Sequence, residues 1–316
     1  MKPCGPLLLR EALPAPRPGW QAPLLRTWQR LAGYPGPGPL PAEIALETDT
    51  RCNGHCSFCP SRAGSDPRPP ARMTPELVED IAAELACADY RGIINLFASN
   101  EPLLDPRIEA FCRRLARAAP RAEICLFTNG RLLTPERYFA LFEAGLDLLV
   151  INHYDDRLQP DARLTACLDH IARSPHPLRR HALRRTLVRL RHENAVLSSR
   201  AGQAPNRPEA ASMTTWHAHG CFRPFEQMVI RADGAVSLCC NDALGAVTLG
   251  RVDRDGIAGV WQNPAYAALR AGLRREGRQS QPLCATCDAD TGPLTNRARH
   301  RLAHAALALN ALTLRR

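Results

Sequence analysis

The chain has 316 residues, of which 45% are hydrophobic and 23% are charged, and these values are typical of globular proteins. The formal net charge is +10, but the basic residues are scattered except in 173–191, which has no aromatic residue for base stacking. A solvated face or the rim of a site for an anionic substrate is therefore favoured over nucleic-acid binding. No apolar run approaches the roughly 20 residues that span a bilayer, and the N-terminus has no signal-peptide pattern. We expect a cytoplasmic protein with no membrane partner, in which the clustered ones among the 13 cysteines are metal ligands or catalytic groups rather than disulfides.

The first two thirds of the chain predict an α/β fold. Residues 1–41 are rich in Pro and Gly, which indicates an irregular or partly helical lead-in. Short apolar runs then alternate with amphipathic stretches. Strands are predicted at 43–48, 92–98, 123–129, 146–152 and 186–191, and helices at 75–88, 105–119, 135–144 and 161–173. Thr74, Asp105 and Thr134 each precede a proline, which predicts three N-caps. Strands that alternate with helices indicate a parallel sheet, so we predict a partial (β/α)6 TIM-like barrel.

The pattern changes after the loop predicted at 198–220. Residues 227–240 predict a β-hairpin around Asp233 and Gly234, and residues 256–274 predict a helix. A turn with two cysteines follows, and an Ala/Leu-rich helix is predicted at 293–312. The predicted divisions are a lead-in, a barrel, a smaller cysteine-containing domain and a C-terminal helix, at 1–41, 42–200, 201–292 and 293–316.

Three cysteines lie on one loop directly after the first predicted strand. Cys52, Cys56 and Cys59 form a C-x3-C-x2-C motif. The carboxyl ends of barrel strands are where active sites form, and three nearby thiolates can hold three irons of a [4Fe–4S] cluster. The fourth iron is then open to a small molecule. Zinc is the alternative, but it needs a fourth ligand, for which His55 inside the loop is the local candidate.

This segment resembles the signature of the radical S-adenosylmethionine (SAM) superfamily. The resemblance implies that SAM binds the open iron and is cleaved reductively to a 5′-deoxyadenosyl radical, which abstracts a hydrogen atom from the substrate. The segment 99–102 is similar to the family's Gly-Gly-Glu-Pro motif, with both glycines replaced but Glu101, the acceptor for the SAM amino group, retained. The residues that the resemblance assigns to SAM binding are Phe58, Ser99, Asn100, Glu101, Thr128, Asn129, Asn152 and Arg189.

A second set of cysteines follows in the C-terminal part of the chain. Their spacing, C-x17-C, a long gap and C-x2-C, fits zinc or an iron–sulfur cluster. The stretch also resembles the SPASM domain of radical SAM enzymes and its shorter twitch form, as in the amino-cyclitol dehydrogenase group of the butirosin pathway. That resemblance implies one auxiliary [4Fe–4S] cluster, because no cysteine follows Cys287. The predicted ligands are Cys221, Cys239, Cys284 and Cys287, with Cys240 left over.

The predicted activity is that of a radical SAM oxidoreductase with SAM and two [4Fe–4S] clusters as cofactors. It would oxidise a small molecule of secondary metabolism and take electrons from an external flavodoxin- or ferredoxin-type donor. Cys240, His153 and Tyr154 are the candidate catalytic residues, Cys240 as a hydrogen-atom donor and the other two as a base or substrate contacts. Two alternatives remain open. One is a maturase or epimerase that crosslinks, epimerises or oxidises a ribosomal peptide or a sugar. The other is a non-catalytic metal scaffold that binds nucleic acid.

Overall fold

The computed structural model describes residues 7–10, 34, 36–154, 161–190, 198–205 and 221–289. The C-terminal helix predicted at 293–312 and most of the loop predicted at 198–220 lie outside these residues. Within the described part of the chain, no helix is long and apolar enough to cross a membrane.

The described residues form nine strands and a series of short and medium helices. The strands are β1 (Leu7–Arg10), β2 (Glu43–Leu46), β3 (Ile93–Asn95), β4 (Glu123–Thr128), β5 (Leu148–His153), β6 (Thr186–Leu190), β7 (Gln227–Ile230), β8 (Ala235–Ser237) and β9 (Thr248–Arg251). The α-helices are α1 (Pro75–Cys87), α2 (Ile108–Ala118), α3 (Pro135–Glu143), α4 (Ala162–Arg173), α5 (Arg179–Leu183), α6 (Arg223–Glu226), α7 (Val252–Trp261), α8 (Pro264–Glu276) and α9 (Pro282–Ala285). Pro102–Leu104 and Gly277–Ser280 are 3-10 helices.

All nine strands belong to one sheet in the order β1-β6-β5-β4-β3-β2-β7-β8-β9. The pairs from β1 to β7 are parallel, and the last two pairs are antiparallel. Parallel strands that alternate with helices confirm the predicted α/β partial barrel followed by a hairpin. Strands from both predicted domains, 42–200 and 201–292, belong to this one sheet. The boundary between the two domains therefore stays a prediction.

The strand β1 was not expected from the sequence. Leu7–Arg10 lies in the lead-in predicted to be irregular or helical, yet it pairs in parallel with β6. A strand of four residues directly after Pro6 carries too weak a pattern to predict. Their main-chain hydrogen bonds depend on the free edge of β6, which is a long-range partner.

The two faces of the sheet bury different residues, because successive side chains in a strand point to opposite sides. The outer face packs against the helices in the main core, as Ile44, Leu46 and Ile94 show. The inner face has smaller apolar clusters. Their members are Ile93, Cys125, Leu148, Val150 and Leu187 in one, and Ala45, Ala98 and Val229 in the other. The inner face therefore leaves room for polar groups and a ligand.

Two of the three predicted helix caps are confirmed. The hydroxyls of Thr74 and Thr134 accept hydrogen bonds from main-chain N–H groups three residues later. The prediction for Asp105 was wrong. Its carboxylate accepts from the N–H and guanidinium of Arg107, and α2 begins only at Ile108. The 3-10 turn at Pro102–Leu104 ends directly before the predicted start, and residues 105–107 form a bend and a turn instead of the first helical residues.

The single helix predicted at 256–274 is two helices. Asn263 accepts from the N–H of Tyr266 and so caps α8, whose first residue is Pro264. Gly256 has a φ of +67° and interrupts α7. The carboxylate of Glu84 on α1 then accepts from the N–H groups of Ile257 and Ala258, both at 2.7 Å. A barrel helix thus caps a helix of the C-terminal part, which the local pattern could not show.

We expect Glu84→Ala to lower the free energy of unfolding by about 2 kcal/mol, because it leaves two main-chain N–H groups without their acceptor. Urea unfolding followed by far-UV circular dichroism under anaerobic conditions measures the change. Glu79→Ala on the same helix is the control. Glu79 makes an exposed ion pair with Arg114, so its loss should cost less than about 1 kcal/mol. Equal effects of the two substitutions would contradict the capping role.

Candidate active site

The first three cysteines lie on the loop between β2 and α1. The N–H of Gly54 donates to the sulfur of Cys52 at 3.3 Å. A Cβ added at Gly54 would lie 3.3 Å from the sulfur of Cys52 and 3.8 Å from that of Cys56, so the two thiols converge over this glycine. Cys56 also donates to the carbonyl of Tyr154 at 3.3 Å. The loop is therefore fixed against the end of β5, and its three cysteines are half-buried.

Electrostatics place all three thiols in one neighbourhood. Burial raises the pKa of Cys52 to about 12, against the hydrogen bond from Gly54, and charges on Glu101, Cys59 and Cys56 act in the same direction as burial. Such mutual influence requires that the groups lie close together. Three converging thiols suit a [4Fe–4S] cluster with one open iron.

Glu101 connects the ends of two strands. Its side chain is almost fully buried, and its carboxylate accepts from the hydroxyl of Thr128 at 2.6 Å and from the N–H of Asn129 at 2.7 Å. It also accepts from the N–H of Leu103 at 3.0 Å. Burial raises the pKa of Glu101, while these hydrogen bonds lower it. The carboxylate therefore holds the end of β4 against the turn that follows β3.

Asn129 extends this connection to the cysteine loop. Its amide donates to the side-chain oxygen of Asn53 at 2.8 Å. Asn53 stands between Cys52 and Gly54, so the position of the cysteine loop depends on the end of β4. The sequence placed Asn129 at the SAM site but contained no signal for the role of Asn53.

Ser99 and Asn100, which replace the two glycines of the family motif, make hydrogen bonds to other residues of the chain. The buried side chain of Asn100 accepts from the N–H of Ala98 at 3.1 Å, while its amide nitrogen has no hydrogen-bond partner. The carbonyl of Ser99 accepts from Arg68 at 3.4 Å. Arg68 is buried and forms ion pairs with Glu47 at 2.8 Å and Asp66 at 2.7 Å. This buried network was not predicted, because its members are scattered over 20 residues of loop.

His153 does not have the geometry of the predicted general base. It is buried, its Nδ1 lies 3.4 Å from the carbonyl of Asn129, and its Nε2 accepts from the N–H of Asp161 at 3.3 Å. Both ring nitrogens thus face main-chain partners, which favours the tautomer with hydrogen on Nδ1. A role in holding the end of β5 fits this arrangement better than proton transfer.

The remaining predicted residues lie around the same rim. The rings of Tyr154 and Phe58 meet edge-on, with centroids 6.0 Å apart. Asn152 and Arg189 are register partners on β5 and β6, and both are half-buried. The side-chain oxygen of Asn152 is buried and has no hydrogen-bond partner in the part of the chain that the structure describes. The structure therefore brings all the predicted SAM-binding positions to one end of the sheet.

The second set of cysteines surrounds a cavity on the other side of the hairpin. Cys221 precedes α6, Cys239 follows β8, and Cys284 and Cys287 flank the end of α9. The cavity lining consists of Cys221, Cys239, Cys284 and Cys287 with Ala201, Arg223, Leu238, Asn241, Arg278 and Leu283. Burial raises the pKa of Cys284 to about 12, and the charges on Cys221 and Cys287 act in the same direction. Four convergent thiols suit a cluster whose irons all have protein ligands.

Cys240 does not line this cavity. It is half-buried and packs against Ala45, Ala98 and Val229 on the inner face of the sheet, and its N–H donates to the side chain of Gln227. The two residues lie in a turn after β8, in which the N–H of Asp242 donates to the carbonyl of Cys239 at 3.1 Å, and their side chains lie in different compartments. The geometry supports Cys239 as the ligand and places Cys240 towards the barrel interior.

The buried carboxylate of Asp288 holds the start of the loop predicted at 198–220 against the second group of cysteines. Asp288 accepts from the N–H of Ser199 at 2.8 Å and from its hydroxyl at 2.8 Å. Thr286 donates to the carbonyl of Ala201 at 2.9 Å. Asp288 follows Cys287 directly, and this adjacency is the only signal that could have identified it.

Among the described residues, no three His, Cys, Asp or Glu side chains approach one point as ligands of a single metal ion.

Comparison with known proteins gives two family matches. Residues 46–159 match the model of the radical SAM superfamily, and residues 221–288 match SPASM, an iron–sulfur cluster-binding domain.

The chain therefore contains a radical SAM domain followed by an iron–sulfur cluster-binding domain. It is a radical SAM enzyme with a C-terminal iron–sulfur domain, so SAM and iron–sulfur clusters are its cofactors. The convergent thiols at the two sites fit these groups. The predictions of family, enzyme class and cofactors are therefore confirmed, whereas the individual ligands remain proposals that the geometry supports.

Similar proteins include an S-adenosyl-L-methionine-dependent 2-deoxy-scyllo-inosamine dehydrogenase from Niallia circulans. It is 26% identical over 245 residues, which cover 78% of this chain and 92% of that protein. A GTP 3′,8-cyclase from Mycobacterium marinum is 32% identical over 154 residues, but these cover only 42% of its length. Among solved structures, BtrN in complex with AdoMet and 2-DOIA superposes with a TM-score of 0.67 at 23% identity, covering 81% of this chain and 96% of BtrN. This similarity supports the fold.

We expect Glu101→Gln to raise the KM for SAM at least tenfold. An amide cannot accept from Thr128 and from two main-chain N–H groups as a carboxylate does, and hydrogen bonds to charged groups contribute roughly 1.5–3 kcal/mol. Reductant-dependent release of 5′-deoxyadenosine as a function of SAM concentration measures the effect. Glu143→Gln, at an exposed position on α3, is the matched control. An unchanged KM in Glu101→Gln would show that the strand ends do not depend on this carboxylate.

Proposed function

We propose that this enzyme is a dehydrogenase that oxidises a hydroxyl-bearing carbon of a small polyol or amino-polyol. The observation that carries the proposal is the cavity of four thiols, which leaves no open iron position for substrate and so suits an electron acceptor. The named activity of the Niallia circulans relative, with which the chain aligns over most of both lengths, supports this reaction.

The two sites lie at opposite ends of the same pair of strands. The first cysteine loop follows the carboxyl end of β2. Cys239 follows β8, which runs antiparallel to β7, and therefore lies near the amino end of β7. Because β2 and β7 are parallel over four residues at about 3.3 Å each, the sites are separated by roughly 13 Å or more. A small substrate inside the barrel would lie between them.

The inner face between the sites provides both apolar and polar surfaces. Phe97 and Phe127 stack with centroids 5.3 Å apart, and both rings are half-buried. Further along, Glu43 accepts from the amides of Asn95 and Gln227 at 2.6 and 2.7 Å. Stacked rings can pack against one face of a cyclic substrate, and the polar set can bind its hydroxyl or amino groups.

When bound, the cofactors supply a 5′-deoxyadenosyl radical at the first site and a one-electron acceptor at the second. Oxidation of a carbinol balances as follows. The substrate C–H bond breaks and its hydrogen atom leaves in 5′-deoxyadenosine. The hydroxyl proton is released to water, one electron passes to the four-thiol site, and a ketone remains. The chain contributes by holding the substrate between the two sites and by excluding water from both.

We also infer the surroundings in which the enzyme works. The reaction requires a low-potential electron donor, for which a flavodoxin or ferredoxin is the natural class. Free thiols and oxygen-sensitive cofactors suit the reducing cytoplasm.

The proposal is tested by anaerobic reconstitution with iron and sulfide, followed by SAM, dithionite and 2-deoxy-scyllo-inosamine. We expect about eight irons per chain from two four-iron clusters, and a ketone formed in equal amount to 5′-deoxyadenosine. Cys52→Ala should abolish both products, while Cys87→Ala, at an exposed cysteine of α1, should change neither. A chain that binds only zinc and leaves SAM intact would refute the proposal. Release of 5′-deoxyadenosine without any ketone would show that the radical chemistry is right and that only the proposed substrate is wrong.

Epimerisation is the second candidate, and the position of Cys240 favours it. If the thiol faces the substrate, its S–H bond can break as a new C–H bond forms on the opposite face of the substrate carbon. The resulting thiyl radical would then need an electron and a proton; the external low-potential donor would supply the electron, for which the four-thiol site could be the relay, and water the proton. Net oxidation does not require this step.

Cys240→Ala distinguishes the two reactions. For the dehydrogenase we expect an unchanged yield of ketone per 5′-deoxyadenosine, because no hydrogen atom returns to the substrate. An epimerase variant would lose the inverted product, and the unaltered enzyme in D2O would incorporate deuterium at that carbon. Mass spectrometry of the product measures both. Deuterated, unoxidised substrate would contradict the dehydrogenase.

A further inference from the structure

Arg223 brings a permanent positive charge to the four-thiol cavity. It is the first residue of α6, two positions after Cys221, and its side chain lines the cavity together with all four cysteines. Its Nε is buried and has no hydrogen-bond partner among the described residues. Buried N–H groups normally have such partners, so this donor is available to a group inside the cavity.

Arg223 keeps its positive charge beside the four thiols. A guanidinium is not deprotonated in proteins, and the side chain of Arg223 lines the same cavity as Cys221, Cys239, Cys284 and Cys287. Glu43 accepts hydrogen bonds from the amides of Asn95 and Gln227. Arg223 therefore brings a lasting positive charge to the cavity of the four thiols.

A second guanidinium lines the same cavity but has a different role. Arg278 is almost fully buried and donates to the carbonyls of Cys287 and Ala289, both at 2.9 Å. These bonds fix the main chain of the last predicted ligand. The N–H of Asn241 donates to the sulfur of Cys239 at 3.4 Å. Arg278 and Asn241 thus shape the cavity, whereas Arg223 has no comparable structural hydrogen bond within the described residues.

We propose that Arg223 tunes the auxiliary cluster by raising its reduction potential, which makes this site the electron acceptor of the reaction. The inference rests on the proposed function, because it needs a cluster at the four cysteines. Adding an electron makes a thiolate-bound cluster more negative, and a nearby buried cation stabilises that state more than the oxidised one. The low dielectric of the cavity strengthens the effect relative to an exposed arginine.

The test is a redox titration of the auxiliary cluster in the full-length chain. Cys52, Cys56 and Cys59 are replaced by Ala so that only the auxiliary cluster gives a signal in electron paramagnetic resonance. In this background Arg223→Gln should lower the ratio of reduced to oxidised cluster at fixed potential at least tenfold, which is a shift of about −59 mV for one electron. Arg223→Lys should stay within threefold of the parent. Arg254→Gln, at an exposed position on α7, should have no effect.

The same substitutions in the otherwise unaltered enzyme give a second readout. Arg223→Gln should lower the amount of ketone formed per 5′-deoxyadenosine, because the substrate radical loses its electron acceptor, and Arg223→Lys should restore it. A midpoint potential that is the same in Arg223→Gln and the parent would overturn the proposal, as would an equal shift in Arg254→Gln.

Loss of the cluster is also informative. If Arg223→Gln fails to retain iron while Arg223→Lys retains it at the parent potential, the positive charge acts on the cluster and the proposal holds. If both variants lose iron, Arg223 has a packing role and the proposal fails. Failure of the underlying function would look different, because the parent chain would then contain no auxiliary cluster at all.

Discussion

The parallel pairing of β2 with β7 is the constraint on which the rest of the structure depends. Four consecutive register pairs, from Glu43 with Gln227 to Leu46 with Ile230, join the barrel to the C-terminal hairpin. The first cysteine loop leaves from one end of this pair, and the cysteines of the second site gather at the other. A shift of one residue would turn Gln227 away from Glu43 and from the inner face, because side chains in a strand alternate. The pairing therefore sets both the separation of the two sites and the surface between them.

The first site depends on a buried carboxylate more than on the cysteine loop itself. Glu101 binds Thr128 and the N–H of Asn129, and Asn129 in turn holds Asn53 within the loop. Three thiols on a loop of eight residues have little intrinsic order, so their convergence requires support from neighbouring strands. In the same way Asp288 holds Ser199 beside the second site. In both cases a carboxylate that accepts main-chain N–H groups positions residues that are distant in sequence.

The two neighbouring cysteines at 239 and 240 show how one turn can serve both compartments. Cys239 lines the four-thiol cavity, while Cys240 packs on the inner face of the barrel. The chain between the compartments is thus one peptide bond long at this point. Arg223, which is influenced by charge on both cysteines, lies at the same boundary. This is a suitable place to control electron transfer between a substrate and an iron–sulfur cluster.

Local patterns in the sequence determined the family, the alternation of strands and helices, and the two groups of cysteines. Cysteine spacing within a loop and hydrophobic periodicity are short-range properties, which is why those predictions succeeded. The contact of Glu84 beside the break at Gly256 and the pairing of β1 depend on partners far along the chain. The same holds for the roles of His153, Asn53 and Arg223. Only the tertiary structure decided these, because hydrogen bonds and buried charges are set by which segments meet, and a single sequence contains no record of those meetings.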